Sequence, residues 1–394
     1  MPARSTPTAR FDAHTALEAL PAFHAQIAQW YAKCGRAELP WRNLARDGSQ
    51  SYEVYISEIM LQQTQVTRVL EEFYFPFLRA FPSLQALADA SEQEVLLRWQ
   101  GLGYYTRARN LRKCAQICAQ SHSGALPRGV ENLKKLPGIG EYSAGAISCF
   151  GFGESVGFVD SNIRRVFSRL FALSNPTHAQ LQSLATKLLN TKDSFNYNQA
   201  LLDIGALVCR PKPLCLICPI REFCQGCSAP HRYPQRRPKP RESLHLRLFV
   251  IRFCQSHKDY IALLTPEHDE AHLARTRPQP RSQSQLYAGL YNLPMHATPL
   301  HSAPAPSAPP LSPHQHAPHP LRLAGHFKHA YTKYAITAEV LYAQCTDRQA
   351  ALGLIDSLSF DTRENLAFVE LDSLPTLPLS SLSHKALKIS HLVL

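Results

Sequence analysis

The sequence predicts two domains of different class, a mainly α N-terminal domain followed by a smaller α+β domain. Three observations carry this expectation. Apolar side chains recur at helical spacing through most of residues 15–230. Beyond residue 242 the apolar runs become short, β-branched and aromatic, as in strands. Between them, His231–Arg241 holds five Lys/Arg, three Pro and no acid, a composition that suits a basic linker and not a helix interior. A length of 394 residues accommodates two domains.

Taken in order, residues 1–14 carry Pro, Arg, Ser and Thr without an apolar signal core and read as a disordered tail. Residues 51–61 read as a helix that sets Glu58 among Ile56, Ile59, Met60 and Leu61. Residues 64–78 place Val66, Val69, Leu70, Phe73 and Phe77 on one helical face, with Thr64 as the expected N-cap. Helical signals continue to about Cys209, and the N-terminal domain is expected to span 15–230. After a linker at 231–242, Leu244–Phe253, Tyr260–Leu264 and Tyr334–Tyr342 read as strands of a domain over 243–375. Ala297–Pro320, with eight prolines in 24 residues and no Asp, Glu, Lys or Arg, reads as an insertion or long loop. Residues 376–394 are expected to be a tail.

Within the helical part, Leu136–Ala146 places Gly138 and Gly140 around Ile139 between two helical patterns. Such a turn aims backbone N–H groups outward at a helix start, where the dipole favours an anion. With a formal net charge of +12 and a pI near 9.2, a nucleic-acid phosphate is the expected anion. An ordinary helical hairpin is the plainer alternative. No apolar run approaches the 18 residues of a membrane span, so no membrane partner is expected.

Eleven cysteines without a secretory signal point to a reducing, cytoplasmic setting, with thiols as metal ligands or core residues. Four of them, Cys209, Cys215, Cys218 and Cys224, form C-x5-C-x2-C-x5-C. This single C-x2-C unit suits an iron–sulfur cluster better than a zinc knuckle pair, although zinc and buried structural cysteines remain alternatives. Cys227 is a further thiol close by. Pro211, Lys212 and Arg221 would set positive charge around such a loop.

The order of hairpin, isolated Asp160 about twenty residues on, and clustered cysteines resembles the endonuclease III superfamily of helix-hairpin-helix DNA glycosylases. Within it, the chain resembles the MutY family of adenine DNA glycosylases. Leu39–Arg42, Ser57–Val66, Gly101–Tyr105 and Asn198–Ala206 are similar to segments of that family, in order. Two departures stand out. The family usually has six residues between its first two cysteines and here there are five, and Asp160-Ser161-Asn162 stands where Asp-Gly-Asn is usual.

The resemblance implies a 4Fe-4S cluster on the four cysteines and a monomer acting on double-stranded DNA with an adenine:8-oxoguanine or A:G mispair, in a bacterial, nucleoid-associated setting. Base release passes through an oxocarbenium-like state that two carboxylates can serve. The apolar neighbours of Glu58 would raise its pKa for a general-acid role, while Ser161, Asn162 and Arg164 would keep Asp160 charged beside the cation. Taken alone, Glu58 could be a solvated helix carboxylate and Asp160 a helix N-cap. The resemblance places Gln63 and Tyr104 as wedges in the duplex, and Trp41, Arg42 and Asp203 around the flipped adenine, with Asp203 accepting from the exocyclic amine. Tyr142 stands where lyases of the superfamily carry a Schiff-base Lys, which implies base removal without strand cutting. That feature also argues against the alternative of a pyrimidine glycosylase/lyase. A catalytically degenerate iron–sulfur DNA-binding protein is the non-enzyme alternative. The second domain resembles a MutT/Nudix-like domain without a Nudix hydrolase box. Its expected 8-oxoguanine readers are Tyr331, Thr332 and Lys333, although that segment also reads as a plain strand.

Overall fold

The computed structural model describes residues 15–235, 242–266, 289–299, 321–331, 334–358, 360 and 365–392. The chain divides into two compact units. The first holds residues up to Ala90 together with Arg109–Pro238; the second holds Ser91–Ala108 and Lys239 onward.

The first unit is helical. Its elements before residue 91 are α1 (Thr15–Cys34), α2 (Ser51–Leu61), α3 (Val66–Arg68), α4 (Tyr74–Ala80) and α5 (Leu84–Asp89). The expected helix over 64–78 is therefore interrupted. A π-turn at Val69–Phe73 separates α3 from α4, and Pro76, which has no N–H to offer a carbonyl four residues back, lies within α4. Thr64 is not the N-cap. That position falls to Gln65, which makes no side-chain cap bond, while the Thr64 hydroxyl lies 3.4 Å from the Gln62 carbonyl. The short α6 (Glu92–Arg98) belongs to the second unit, and α7 (Thr106–Ser121) crosses the division.

Downstream come α8 (Val130–Leu133), α9 (Glu141–Phe152), α10 (Ser161–Leu170), α11 (His178–Lys187) and α12 (Ser194–Asp203). A single core of Phe23, Ile27, Val54, Phe150, Phe158, Phe167, Leu201 and their neighbours joins α1, α2, α9, α10 and α12. Burying a Leu or Phe side chain contributes about 1.5–3 kcal/mol. This core fixes the three helices that carry the candidate site. Beyond α12, a π-turn at Ile204–Val208 leads into the cysteine loop.

The second unit is built on a mixed sheet of β1 (Glu242–Gln255), β2 (Lys258–Leu264), β3 (Met295–Pro299), β4 (Arg322–Tyr331), β5 (Tyr334–Cys345) and β6 (Leu366–Glu370), in the order β4-β5-β1-β2-β6 with β3 also on β1. β1 runs parallel to β5 from Glu242↔Tyr334 to Phe253↔Cys345, and the other pairings are antiparallel. Helix α13 (Arg348–Ser357) covers one face through Ala351 and Ile355 against Phe249, Ile251 and Phe253.

The expected tail at 376–394 is instead largely helix. Ser380 N-caps α14 (Ser381–Ile389), whose Leu382, Ala386 and Leu387 are fully buried. Residues 91–108, expected with the N-terminal domain, group with this second unit, where the Gln100 amide bonds the His384 ring on α14. The expected insertion begins later than residue 297, because β3 continues to Pro299 by pairing with β1 at Leu244. Its remaining residues 300–320, the N-terminal tail 1–14 and linker residues 236–241 lie outside the described residues.

Candidate active site

Glu58 and Tyr142 meet because α2 packs on α9, with Tyr142 in the first turn of α9. The Tyr142 hydroxyl donates to Glu58 Oε2 at 2.8 Å. Glu58 is 5% exposed, and burial pushes its carboxyl up to about 7, against the lowering effect of the Tyr142 bond. Asp160 adds to the rise through like charge. The Tyr142 phenol is itself driven well above its usual range by burial and by both carboxylates, so it stays a neutral donor.

Asp160 N-caps α10: its Oδ1 accepts from the Ile163 N–H at 2.6 Å, and Oδ2 accepts from the Asn162 amide at 3.0 Å. The cap and the carboxylate facing the site are therefore the same group. The expected polar setting is only half of its surroundings. Burial raises its carboxyl, while those bonds and the Arg165 charge oppose the rise. The relevant cation is Arg165, which bonds Asn162 Oδ1 at 2.9 Å; Arg164, expected to assist, reaches the Pro176 carbonyl instead.

Glu58, Tyr142, Asp160 and Asn162 line one cavity of about 740 Å³, together with Gln62, Gln63, Arg164 and His178. Sequence reasoning missed Gln62, whose amide donates to Ser143 at 3.0 Å, and His178, whose ring meets Glu141 at 2.7 Å. Neither has a local pattern that marks it. Gln63 holds a left-handed backbone at φ 58°, directly after the Gln62 C-cap of α2, and Tyr104, on the second unit, holds φ 50° with 46% of its surface exposed. Non-glycine residues in that region store strain, and both were expected as wedges.

Asp203, expected to accept from adenine, is engaged by protein donors. Its carboxylate is fully buried and already accepts five hydrogen bonds: two from the Arg42 guanidinium, two from the Arg36 guanidinium and one from the Arg36 N–H, at 2.6–2.8 Å. Those cations hold its carboxyl below the usual range despite burial, so no lone pair faces a ligand. Trp41 is 5% exposed and packs edge-on against Tyr74. Trp41, Arg42 and Asp203 are absent from the described lining of the Glu58 cavity, although the Arg42 charge acts on Glu58.

At the hairpin, Gly138 has φ +80° and a Cβ there would come within 2.7 Å of Asn110 Cβ, so fold geometry alone demands glycine. Gly140 differs. It N-caps α9 at φ −87°, and a Cβ there would meet nothing within 4 Å. Ile139 between them is buried.

The four cysteines lie on one loop, and their thiols act on one another. Burial and neighbouring thiols push Cys218 up to about 11 and Cys224 up to about 12. Arg169 Nη1 lies 3.3 Å from Cys209 Sγ. Soft thiols gathered beside a guanidinium fit an iron–sulfur group in donor chemistry, although no group of three His, Cys, Asp or Glu side chains among the described residues is already arranged as a metal site. Counting Cys227 corrects the sequence reading, because Cys224–Cys227 is a second C-x2-C unit.

In the second unit, Tyr331 ends β4 and pairs with Tyr334, so the strand reading of this segment holds up to Tyr331. Thr332 and Lys333 lie outside the described residues. No helix among the described residues is long and apolar enough to cross a membrane.

Residues 56–191 match the family of HhH-GPD superfamily base excision DNA repair proteins. Over 208 residues the chain is 38% identical to the adenine DNA glycosylase of Mycolicibacterium smegmatis, a stretch that is 52% of this chain and 69% of that protein. The chain belongs to the adenine DNA glycosylase family. It is also 41% identical over 216 residues to the adenine DNA glycosylase of Mus musculus, covering 52% of this chain and 42% of the mouse protein's length. Among solved structures it is similar to a thermostable thymine-DNA glycosylase, at 27% identity and a TM-score of 0.50, over 55% of this chain and 99% of that one. These likenesses identify the helical part of the chain as the glycosylase fold that the hairpin and Asp160 suggested, and the family match runs through residues 91–108 as it was expected to.

Proposed function

We propose that the chain is a DNA N-glycosylase that removes adenine paired with 8-oxoguanine or guanine, and that it leaves the strand uncut. The observation that carries this reading is the buried Glu58, with its carboxyl raised to about 7, sharing a cavity with the N-cap carboxylate Asp160. Two carboxylates in unlike environments can take the acid and the anionic role at one pH.

Protonated Glu58 gives its proton to N7 of the flipped adenine, and the C1′–N9 bond breaks with its electron pair leaving on the base. Asp160, held rigid by Ile163 and Asn162, faces the sugar cation. Water then adds at C1′ and passes a proton back to Glu58. Tyr142 keeps Glu58 in place and offers no amine for a Schiff base.

The basic chain grips the phosphates through the N–H groups at Gly138–Gly140, where the open Cβ side of Gly140 permits close approach. Gln63, on the lining of the Glu58 cavity, fills the gap left by the base, and Tyr104 is a separate wedge carried by the second unit. Cys209, Cys215, Cys218 and Cys224 would hold a 4Fe-4S cluster that stiffens the loop bearing Lys212 and Arg221. The second unit acts as a MutT-like reader of 8-oxoguanine through Tyr331, Thr332 and Lys333, and the chain works as a monomer.

Single-turnover cleavage of duplexes holding A:8-oxoguanine, A:G or thymine glycol tests the reading. Adenine release from the first two is expected, with a loss of about 10²–10⁴-fold in Glu58→Gln. Equal rates for wild type and Glu58→Gln would overturn the mechanism, and preferential thymine glycol cleavage the substrate.

A further inference from the structure

The cysteine loop carries five thiols, one more than a four-ligand cluster needs, and their arrangement is not that of four ligands plus a bystander. Cys215–Cys218 and Cys224–Cys227 are both C-x2-C units, and they fold alike. In each, the N–H of the second cysteine turns back to the carbonyl of the first, at 3.4 Å for Cys218 to Cys215 and 3.5 Å for Cys227 to Cys224. The C-x2-C spacing is that of paired thiolate ligands on one metal group. The second turn is pinned to α10, because the Gly226 N–H donates to the Arg169 carbonyl at 2.9 Å. Cys218, Cys224 and Cys227 then line a common cavity with Arg221 and Gln26.

Cys209 is placed differently. It ends the π-turn after α12, its N–H bonds the Ile204 carbonyl, and its sulfur is met by the Arg169 guanidinium. Neither it nor Cys215 is among the described lining of the cavity that Cys218, Cys224 and Cys227 share, but Cys215 is tied to Cys218 by the first C-x2-C turn, whereas Cys209 belongs to neither turn.

We propose that Cys227 is a reserve cluster ligand: with Cys215, Cys218 and Cys224 it forms a second tetrathiolate set that holds the iron–sulfur cluster when Cys209 is removed or displaced. The proposal rests on the cluster reading given above. It makes Cys209 the dispensable member of the five and gives the chain two overlapping ligand sets on one loop. The exchange needs no redox step, since one thiolate replaces another on the same iron and the departing thiolate takes up a proton.

The test is iron and acid-labile sulfide content per chain, with visible absorbance, in full-length wild type, Cys209→Ser, Cys227→Ser, Cys224→Ser and Cys209→Ser/Cys227→Ser. Wild type and both single variants at 209 and 227 are expected to keep at least half of the iron and sulfide, with the double variant and Cys224→Ser falling at least tenfold. Cluster loss in Cys209→Ser as complete as in Cys224→Ser overturns the proposal, as does a double variant that loads as well as Cys209→Ser. Wild type without iron or sulfide overturns the cluster reading itself. Native alkylation provides a measurement that does not depend on the double variant folding. Cys227 is expected to react with iodoacetamide in loaded wild type and to be protected in loaded Cys209→Ser; equal labelling in the two overturns the proposal.

Discussion

The Tyr142 hydroxyl donates to Glu58 Oε2 across 84 residues of sequence, from the first turn of α9 to the last turns of α2. A hydrogen bond to a carboxylate favours its ionised form, so this bond restrains a pKa that burial alone would lift further. Tyr142→Phe removes the restraint. The alkaline limb of the single-turnover pH profile is expected to move upward from about 7, because Glu58 then keeps its proton to higher pH. An unmoved or lowered limb would show that the phenol does not tune the acid.

The same raised carboxyl has a cost in stability. Folding lifts Glu58 from 4.5 to about 7, so the native state holds a proton that the unfolded chain releases between those values. Its contribution is neutral below pH 4.5 and becomes increasingly destabilising as pH rises through 7, reaching about 3 kcal/mol. Glu58→Gln, which can still accept from Tyr142, is therefore expected to melt several degrees above wild type at pH 8. The gap should close below pH 5. Thermal melts at the two pH values check both the sign and the window.

How much of this was legible follows the range of the interactions. The helix over 51–61 is set by local apolar spacing, and its bounds appear as expected. The helix over 64–78 obeyed the same pattern, but a π-turn and Pro76 break it where apolar periodicity carries no mark. The C-terminal helix escaped notice because nine residues with three buried apolar side chains resemble a tail until a sheet is present to cover. At the site, the apolar setting of Glu58 was readable from its own neighbours, whereas the burial of Asp160 and its Arg165 partner were not. The Tyr142 bond and the Arg36 partner of Asp203 were not, since each joins residues more than 80 positions apart. The Cys224–Cys227 pair, by contrast, is legible in the sequence as a second C-x2-C unit.

Asp203 separates a structural ion cluster from a ligand contact. With five donors on a fully buried carboxylate, Asp203→Asn leaves two guanidinium groups short of their counter-charge. Breaking a buried ion pair costs about 3–5 kcal/mol. A large fall in denaturation midpoint is expected at pH 7. Because its folded carboxyl is depressed, the native advantage exists above about pH 4 and is lost as pH falls below it, so the variant and wild type should converge in acid. A variant of wild-type stability with weakened adenine binding would restore the ligand role.

The two hairpin glycines should fail in opposite ways. Gly138→Ala forces a side chain into a φ of +80° and within 2.7 Å of Asn110 Cβ, so it is expected to lower stability by more than about 1 kcal/mol. Gly140→Ala adds a methyl where the protein has nothing within 4 Å, at a φ that alanine adopts freely, and should cost less than about 1 kcal/mol. Its effect belongs to the partner. If a phosphate sits against that N–H group, the methyl holds it off, and duplex affinity should fall several-fold while Tm stays near wild type. Because the contact neutralises phosphate charge, log affinity should drop linearly with log salt in both proteins. The measurement is a pair of melts and a salt titration of duplex binding. Wild-type affinity in Gly140→Ala would remove the hairpin from the DNA interface.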